Sequence, residues 1–235
     1  MCGRFTLTVE RLELVAEGLQ AFVEPQWLEA YRPRYNVAPG DRHWVLRSGA
    51  GRRELVPAFW GLVPSWAQDP SVGFRQINAR AETLTERRAW RSAFQSRRCV
   101  VPTDGFYEWQ GPAKARRPIW FHAPDRSLLL LAGLWEDWSS PTTGEGRTTF
   151  TVITTAAAEP VLQVHDRMPA LLAPEAVESW LRGPEPGRLL GPAPAGMLVA
   201  SLASRRVNSP ANDDPRCLEP EPEPVEPERQ RKLFP

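Results

Sequence analysis

The apolar residues of this chain fall mainly into short runs that are rich in β-branched and aromatic side chains. These runs are HWVLRS from His43, ELVPAFW from Glu54, CVVPT from Cys99, PIWFHA from Pro118, LLLLAGLW after Ser127 and TTFTVITT from Thr148. Runs of this length and composition predict β-strands. Because the strands do not alternate regularly with helices, they favour an α+β fold that is mainly antiparallel, with a barrel-like or sandwich-like core and a few peripheral helices.

Three segments have the apolar spacing of amphipathic helices. They lie near 9–22, where Thr8 is the expected N-cap, at 80–96, and at 174–182, where Pro174 suits the first turn and Gly183 the end. Two turn sequences, PDRS at 124–127 and TTGEGR at 142–147, each predict a hairpin between the neighbouring strands.

From Glu219 onward, glutamate and proline alternate in EPEPEPVEPERQRKLFP. This stretch offers little apolar surface to bury, so we expect one domain over 1–218 and a disordered tail over 219–235. In the QRKLF segment of the tail, Gln230, Leu233 and Phe234 have the spacing of the Q-x-x-L-F peptide that docks bacterial proteins on the replication sliding clamp. A chance match is the alternative, because only three residues are specified.

Composition excludes several classes of protein. The 235 residues carry a net charge of +1, which indicates no polyanionic partner by itself, although 27 of the 29 basic residues are Arg, a side chain well suited to phosphate. A GC-rich genome would also explain this bias. Since no apolar run is long enough for a membrane span and the N-terminus lacks the apolar segment of a signal peptide, we expect a cytoplasmic protein. Cys2, Cys99 and Cys217 form no CxxC pair and the three histidines are far apart, so no zinc site, disulfide framework or cofactor is predicted.

Cys2 is the position with the most specific chemistry. Removal of Met1, which the small second side chain permits, would leave an amine and a thiol on one residue. The amine, with an ordinary pKa of about 7.7 to 8.0, is partly neutral at physiological pH and can attack an aldehyde to give a Schiff base. The thiol can then close a five-membered thiazolidine ring. An incidental buried cysteine is the alternative.

Glu108 and His165 are candidates for proton transfer. Glu108 lies between Tyr107 and Trp109 in DGFYEW, where partial burial would raise its pKa. A glutamate at the rim, paired with an arginine, is the alternative. Because histidine as a residue type titrates near working pH, His165 in VLQVHDRMP could protonate a departing sugar oxygen, although a lone histidine is more often structural.

Three further residues are candidates for contacts with a ligand. Asn78 and Arg80 alternate in INARAE, so both side chains would point the same way from an extended segment, where Asn78 could orient an amine and Arg80 could bind a phosphate. A helix cap and a surface charge are the alternatives. Trp66 lies on a loop bounded by Gly and Pro, where it either stacks on an unpaired base or covers the core.

Eight blocks, taken together, carry a resemblance to one known family. They are MCGRF, RYNVAPG, WGLVPSW, INARAET, RRCVVPTDGFYEW, LAGLW, VITTAA with HDRMP, and SRRVNSPANDDP. In this order they resemble the SRAP family, the SOS response-associated peptidases, over about residues 1–220. The resemblance implies a mainly β fold and a protein that binds single-stranded DNA and forms a covalent thiazolidine with abasic sites through Cys2.

The resemblance also implies a role for each matching residue. Cys2 would be the nucleophile, Asn78 and Glu108 would position and deprotonate its amine, and His165 would act on the sugar ring oxygen. Arg4, Arg80 and Arg167 match the phosphate contacts of the family, and Pro39 and Trp66 match the elements that wedge against the strand and its bases. Some relatives carry a second Trp where this chain has Ala67, which predicts weaker stacking at that point.

Three interpretations of the activity stay open at this stage. The first is covalent capture of abasic sites, with lyase character where the Schiff base permits β-elimination. The second is a peptidase in which the Cys2 thiol attacks an amide. The third is a non-covalent binding module for damaged DNA in which Cys2 is structural.

Overall fold

The computed structural model describes residues 2–49, 51–112 and 115–220. Its strands are β1 (Phe5–Leu7), β2 (Arg34–Val37), β3 (Arg42–Ser48), β4 (Arg53–Trp60), β5 (Asn78–Arg80), β6 (Arg98–Thr103), β7 (Gly105–Gln110), β8 (Arg117–His122), β9 (Leu129–Ser139), β10 (Gly146–Ala156), β11 (Arg167–Pro169), β12 (Leu171–Leu172) and β13 (Val199–Leu202). The α-helices are α1 (Leu12–Leu19), α2 (Pro25–Ala30), α3 (Arg88–Ser96) and α4 (Val177–Arg182). Short 3-10 turns include Pro70–Arg75, Val161–Gln163, Arg205–Asn208 and Pro215–Cys217.

The strands form two sheets, of which one closes on itself. The first sheet has the order β13-β8-β7-β1-β2 and is antiparallel throughout. In the second, β3, β4, β10, β9 and β6 pair in a closed circuit, in which only the β4–β10 pair is parallel. β5 adds to β10 in parallel, and β11 and β12 pair antiparallel with β10 and β9. This confirms the predicted α+β fold with a mainly antiparallel, barrel-like core.

Two apolar clusters account for most of the core. One joins the two sheets, and its Phe5 ring lies 4.5 Å from Trp60 while Phe106 stacks on Phe121 at 5.4 Å. The other fills the space between the barrel and the helices, with Leu12 of α1 and Trp180 of α4 among its members. Burial of each such side chain contributes about 1.5–3 kcal/mol by removal from water.

The helix predictions need correction at their boundaries. The first helix begins at Leu12 rather than near residue 9, and Thr8 is not its N-cap, because the N–H and hydroxyl of Thr8 both donate to Asp104 Oδ2, over 2.6 and 2.5 Å. The predicted helix at 80–96 is α-helical only over Arg88–Ser96. Strand pairing with β10 holds Asn78–Arg80 extended, and Ala81–Thr83 forms a short 3-10 turn. The third prediction is confirmed, as a 3-10 turn followed by α4.

The six predicted strands are all present, but one predicted hairpin is wrong. β9 and β10 pair across the TTGEGR turn as expected. By contrast, β8 pairs with β7 and β13, whereas β9 pairs with β6, β10 and β12. The PDRS turn does form, with the Arg126 N–H donating to the Ala123 carbonyl over 3.0 Å, but it carries the chain from one sheet to the other. A turn sequence determines the reversal of the chain and not the sheet that the next strand joins.

The predictions for 219–235, including the QRKLF motif, lie outside the described residues except at Glu219 and Pro220. Within the described ranges, no helix has the length and apolar character needed to cross a bilayer.

Candidate active site

Strand pairing positions the N-terminal segment and carries Cys2 into the core. Phe5 of β1 lies opposite Phe106 of β7, and the Tyr107 N–H donates to the carbonyl of Arg4 over 2.9 Å. Cys2 is 0% exposed and packs in the apolar cluster between the two sheets. Its Sγ lies 3.8 Å from the Arg4 carbonyl oxygen. The second residue of the chain is therefore an interior residue rather than a surface one.

Burial changes the chemistry of the Cys2 thiol. Removal from water raises the pKa of this thiol above its ordinary range, and the nearby carboxylate of Glu108 raises it further. The thiol therefore stays protonated at neutral pH. Because the thiolate is the nucleophilic form, this environment disfavours a reaction that begins with attack by sulfur.

Asn78 connects Cys2 to the second sheet. It lies opposite Val152 in the parallel β5–β10 pair, and its Nδ2 donates to the Cys2 carbonyl oxygen over 2.7 Å. The other amide atom, Oδ1, is buried without a hydrogen-bond partner in the part of the chain that the structure describes. Since an unpaired buried acceptor is costly, a donor brought to this oxygen would be bound favourably.

Glu108 is a buried carboxyl group beside Cys2. It lies in β7 opposite Ile119 of β8 and is only 3% exposed. Burial raises the pKa of this carboxyl, and the charge of His165 opposes that shift. Because Glu108 also raises the pKa of the Cys2 thiol, it lies within electrostatic reach of both residues. A carboxyl whose pKa is moved toward neutrality can accept and return a proton at physiological pH.

His165 follows the 3-10 turn Val161–Gln163, and its own backbone fixes the orientation of its ring. Its N–H donates to the Val161 carbonyl over 2.9 Å, and its Nδ1 accepts from the Arg167 N–H over 2.9 Å. In the neutral ring this contact leaves the proton on Nε2. The Asp166 carboxylate, 2.9 Å from Nδ1, becomes an ion-pair partner when the ring is protonated.

The structure thus brings Cys2, Asn78, Glu108 and His165 together from four separate segments of the chain. The cluster contains Cys2 with its carbonyl hydrogen-bonded, a buried carboxyl group and a partly exposed imidazole. It can position an amine and move protons around it. Within the described ranges, no group of three or more His, Cys, Asp and Glu side chains is arranged to hold a metal ion.

Arg4 is half-buried and held by the protein itself. Its Nη1 donates to Asn36 Oδ1 over 2.8 Å and to the Val207 carbonyl over 2.6 Å, and its guanidinium carbon lies 6.0 Å from the Trp109 ring centroid. These contacts fix the guanidinium group at the junction between β2 and the Arg205–Asn208 turn. A phosphate contact by Arg4 would use the guanidinium N–H groups that do not take part in these hydrogen bonds.

The two other predicted phosphate contacts flank β10. Arg167 forms a two-pronged ion pair with Glu82, over 2.6 and 2.9 Å, and also donates to the Thr154 carbonyl over 2.6 Å. Arg80 lies opposite Thr154 on the other side of β10 and has an exposed side chain. Of the two arginines, Arg80 and Arg167, the side chain of Arg80 is the more accessible to a ligand.

Pro39 and Trp66 lie on loops outside the central cluster. Pro39 is half-buried in the turn between β2 and β3. Two hydrogen bonds connect this turn to Ile77, the residue before Asn78. The Gly40 N–H donates to the Trp60 carbonyl, and the Trp60 indole donates to the Ile77 carbonyl. Trp66 is 50% exposed. Its ring lies 4.5 Å from the guanidinium carbon of Arg88. Because half of the Trp66 side chain faces solvent, it does not serve as a cover over the core.

Trp138 anchors the loop beneath Trp66. Its indole donates to the Ala67 carbonyl over 2.7 Å, and both residues are buried with Val63. Ala67 is 5% exposed, so this position, unlike Trp66, offers no ring to solvent.

Two residues without a strong sequence signal, Asn36 and Phe74, are prominent in the structure. Asn36 links β2 to the 205–212 segment, because its Nδ2 donates to the carbonyls of Val207, Ser209 and Asn212 over 3.3, 3.0 and 2.7 Å. Phe74 is 67% exposed in the Pro70–Arg75 turn. Its only sequence signal is an aromatic residue between Gly73 and Arg75, which is too weak to separate from a core residue.

Comparison with known proteins finds a family and close structural relatives. The model of the family described as SOS response associated peptidase (SRAP) matches residues 1–210. Abasic site processing protein YoqW of Bacillus subtilis is 37% identical over 227 residues, covering 93% of this chain and 99% of that protein. Abasic site processing protein YedK of Escherichia coli is 30% identical, covering 94% and 100%. A crystal structure of a protein from Bacteroides thetaiotaomicron has a TM-score of 0.83 at 25% identity, covering 94% of this chain and all of that one.

Proposed function

Because this chain belongs to the SOS response-associated peptidase (SRAP) family, we propose that it processes abasic sites in DNA, as the names of its relatives state for those proteins. It acts on single-stranded DNA and captures the ring-opened sugar as a covalent thiazolidine on Cys2. The observation that supports this most directly is the hydrogen bond from Asn78 to the Cys2 carbonyl, which fixes the backbone of the reacting residue beside a buried carboxyl group.

The reaction begins with the opening of the abasic sugar from its cyclic hemiacetal to the aldehyde. The imidazolium of His165 donates a proton to the ring oxygen while the C1′ hydroxyl loses its proton to solvent. The net charge on the sugar does not change. His165 suits this role because it is partly exposed and an imidazole can both carry and release a proton.

Removal of Met1 supplies the nucleophile, the α-amine of Cys2. Glu108 accepts the proton of the ammonium form, and the neutral amine adds to the aldehyde carbon to give a carbinolamine. Glu108 then returns the proton to the carbinolamine hydroxyl, which leaves as water, and a Schiff base results. Burial supports this role because it moves the pKa of Glu108 toward neutrality.

The thiol completes the capture. Its sulfur adds to the carbon of the C=N bond and its proton passes to the nitrogen, so the five-membered ring forms with one water released overall. The raised pKa of the Cys2 thiol supports an order in which the amine reacts first. If the Schiff base instead loses a proton from C2′, the 3′ phosphate leaves and the strand is cut, which is the lyase reaction.

Arginines and loop aromatics hold the strand in this proposal. Arg80 contributes an exposed guanidinium at the end of β5, and Arg4 adds a second charge beside the cluster. Arg167 contributes where a phosphate competes with its ion-pair partner Glu82. Trp66 offers a half-exposed ring for base stacking, and Pro39 projects from the linked turn as a wedge.

The test compares Cys2→Ala and Cys2→Ser with wild type on an abasic oligonucleotide. We expect a heat-stable crosslinked band on a denaturing gel with wild type only, and undiminished binding of undamaged single strands in all three. Both variants keep an α-amine, so borohydride should still trap a Schiff base. A full heat-stable band from Cys2→Ala would overturn the mechanism. Wild-type binding without any covalent product would favour the non-covalent module, and Cys2-dependent cleavage of a peptide substrate would favour the peptidase.

We further propose that Gln230, Leu233 and Phe234 dock the protein on the replication sliding clamp. Leu and Phe would fill an apolar pocket while Gln binds at its rim, so two side chains carry most of the affinity. Calorimetry with a 219–235 peptide and the purified clamp of the same organism tests this. We expect weak binding that the double variant Leu233→Ala, Phe234→Ala abolishes. Equal binding by both peptides, or by neither, would contradict it.

A further inference from the structure

A groove of about 260 Å³ opens between α2 and β3. Three aromatic side chains of this groove lie close together: the Trp44 ring centroid is 6.4 Å from that of Trp27 and 6.2 Å from that of Tyr31. Trp27 and Trp44 are half-buried, and neither indole N–H has a hydrogen-bond acceptor among the described residues. The groove therefore presents aromatic rings together with two indole donors that the described fold does not use.

Arginines border the same groove. Arg32, Arg34 and Arg42 line it, and no described residue that lines it is acidic. Two aspartates neutralise Arg34, whereas Arg32 and Arg42 are exposed and form no ion pair within the described residues. Arg42 lies over the Phe59 ring at 5.1 Å, a contact that leaves its N–H groups available. Two positive charges beside the aromatic walls are thus free to bind an anion.

The chain comes back to this groove shortly before the tail begins. The Asp213 carboxylate accepts the N–H groups of Tyr35 and Asn36 over 2.6 and 2.8 Å and pairs with Arg34, which lines the groove. The eleven residues from Asp213 to Pro224 span at most about 40 Å when extended. Pro224 is therefore within reach of the groove.

The tail has a composition that complements the groove. Residues 219–228 include five glutamates and four prolines and no basic residue. In polyproline geometry, which has three residues per turn, residues i and i+3 share a face. Pro224 and Pro227 would then share one face, and Glu223 and Glu226 would share the next. One face can lie on aromatic rings while the other meets guanidinium groups.

We propose that the tail segment 223–228 binds in this groove of the same molecule. Its two prolines pack on the tryptophan rings, and its glutamates pair with Arg32 and Arg42. Aromatic grooves bind proline-rich segments because the polyproline conformation is already formed and little further ordering is needed. Hydrogen bonds between arginine and carboxylate are stronger than those between neutral groups.

The covalent link favours the tail over an occupant from solution. A single DNA strand would also meet rings and arginines, but exposed ion pairs contribute little by themselves. A short link raises the effective concentration of the tail segment to the order of mM. Binding at 223–228 leaves Gln230, Leu233 and Phe234 outside the groove, so it is compatible with the contact proposed for the sliding clamp.

The test uses the full chain with Val225→Cys labelled with bimane, a fluorophore that a nearby tryptophan quenches. The three native cysteines are buried, which directs the label to position 225. We expect quenched emission that does not depend on protein concentration and that is lost in Trp27→Leu. Trp66→Leu is the matched control, because Trp66 is a half-exposed ring outside the groove, and it should leave the quenching unchanged.

Further variants separate docking from a damaged fold. Replacing both tail prolines, Pro224→Ser with Pro227→Ser, changes no described residue and should abolish the quenching. Arg32→Glu with Arg42→Glu should also abolish it. Adding Glu223→Arg and Glu226→Arg to that double variant should restore the quenching, because the charges are then exchanged.

Four outcomes would overturn the proposal. Two are unquenched emission in the labelled protein, and quenching that the groove and tail variants leave unchanged. Quenching that falls on dilution would assign the groove to the tail of a second copy. An unquenched tail together with weaker binding of undamaged single-stranded DNA by Trp27→Leu would assign the groove to DNA.

Discussion

Glu108 illustrates how a residue suited to catalysis can weaken the fold that holds it. Burial raises its pKa in the folded protein, so the ionised form is better solvated in the unfolded chain. Below the unfolded pKa of about 4.3, both states are protonated and stability is unaffected. As pH rises through the folded pKa, the folded state loses stability relative to the unfolded state.

We therefore predict that Glu108→Gln is more stable than wild type at neutral pH. The amide is neutral at every pH, so the difference in free energy of unfolding should be small near pH 4, should grow as pH rises from the unfolded to the folded pKa of Glu108, and should level off above it. Urea titrations across this pH range measure it. A difference that is constant with pH, or that shrinks as pH rises, would show that the buried carboxylate is not destabilising.

The same substitution should slow crosslinking. We predict that Glu108→Gln and His165→Ala each reduce the single-turnover rate by about 10²- to 10⁴-fold, since each removes a general acid–base group. Because the raised pKa of Glu108 governs the ionised fraction, the wild-type rate should fall on the acid side at a pH above the usual carboxylate range. Asp166→Asn is the comparison variant: it changes the exposed ion-pair partner of His165 and should lower the crosslinking rate less than His165→Ala. Wild-type rates in both main variants would assign them structural roles.

At the scale of elements, the sequence predicted those strands whose apolar runs are long enough to be recognised by composition. β1, β5, β11 and β12 have two or three residues each, and their extended form depends on the neighbour they pair with. That is why INARAE could be read as the start of a helix although β10 holds Asn78–Arg80 extended. Pairing between distant segments is a tertiary effect that local propensity does not contain.

The site shows the same division. The residue type alone identifies the chemistry that Cys2, Glu108 and His165 can perform, so the sequence was enough to select them. Asn78 was selected because it alternates with Arg80. Their contacts could not be derived, since β7 belongs to one sheet and β5 to the other. Phe74 was missed because exposure of an aromatic ring depends on the Gly61–Gly73 contact, which is formed only in the folded chain.

Asn36 offers a test of how separate elements are joined. Its side chain binds three carbonyls of the 205–212 segment and accepts from Arg4. We predict that Asn36→Ala destabilises the protein by about 1–3 kcal/mol, because buried partners lose their hydrogen bonds. For a chain of this size, that corresponds to about 2–4 °C in Tm for each kcal/mol.

Calorimetric or fluorescence-detected thermal unfolding measures the effect of Asn36→Ala. Asn208→Ala is the matched control, since its side chain accepts one exposed bond from the Trp109 indole. Equal shifts in the two variants would mean that Asn36 is not a special junction between β2 and the 205–212 segment.

For the whole molecule, a net charge of +1 understates its capacity to bind a polyanion. Many arginines are neutralised within the fold, as in the pairs of Arg34 with Asp213 and of Arg206 with Asp214. Others, such as Arg42 and Arg147, have no acidic partner within the described residues. In the proposed function, association with a single strand would therefore depend on where the unpaired guanidinium groups lie and not on their excess over carboxylates.

This distribution predicts how binding to undamaged single-stranded DNA responds to salt. Each phosphate that a guanidinium neutralises should contribute about 0.7 to the slope of log affinity against log salt concentration, because counterions are released from the strand. Arg80→Gln should reduce the slope by about this amount. Arg188→Gln should leave it unchanged, since Arg188 is paired with Glu185 on the surface of the Pro186–Leu189 turn. Fluorescence anisotropy over a salt series decides between these outcomes: a flat wild-type response, or an equal loss in Arg80→Gln and Arg188→Gln, would contradict a localised phosphate-binding surface.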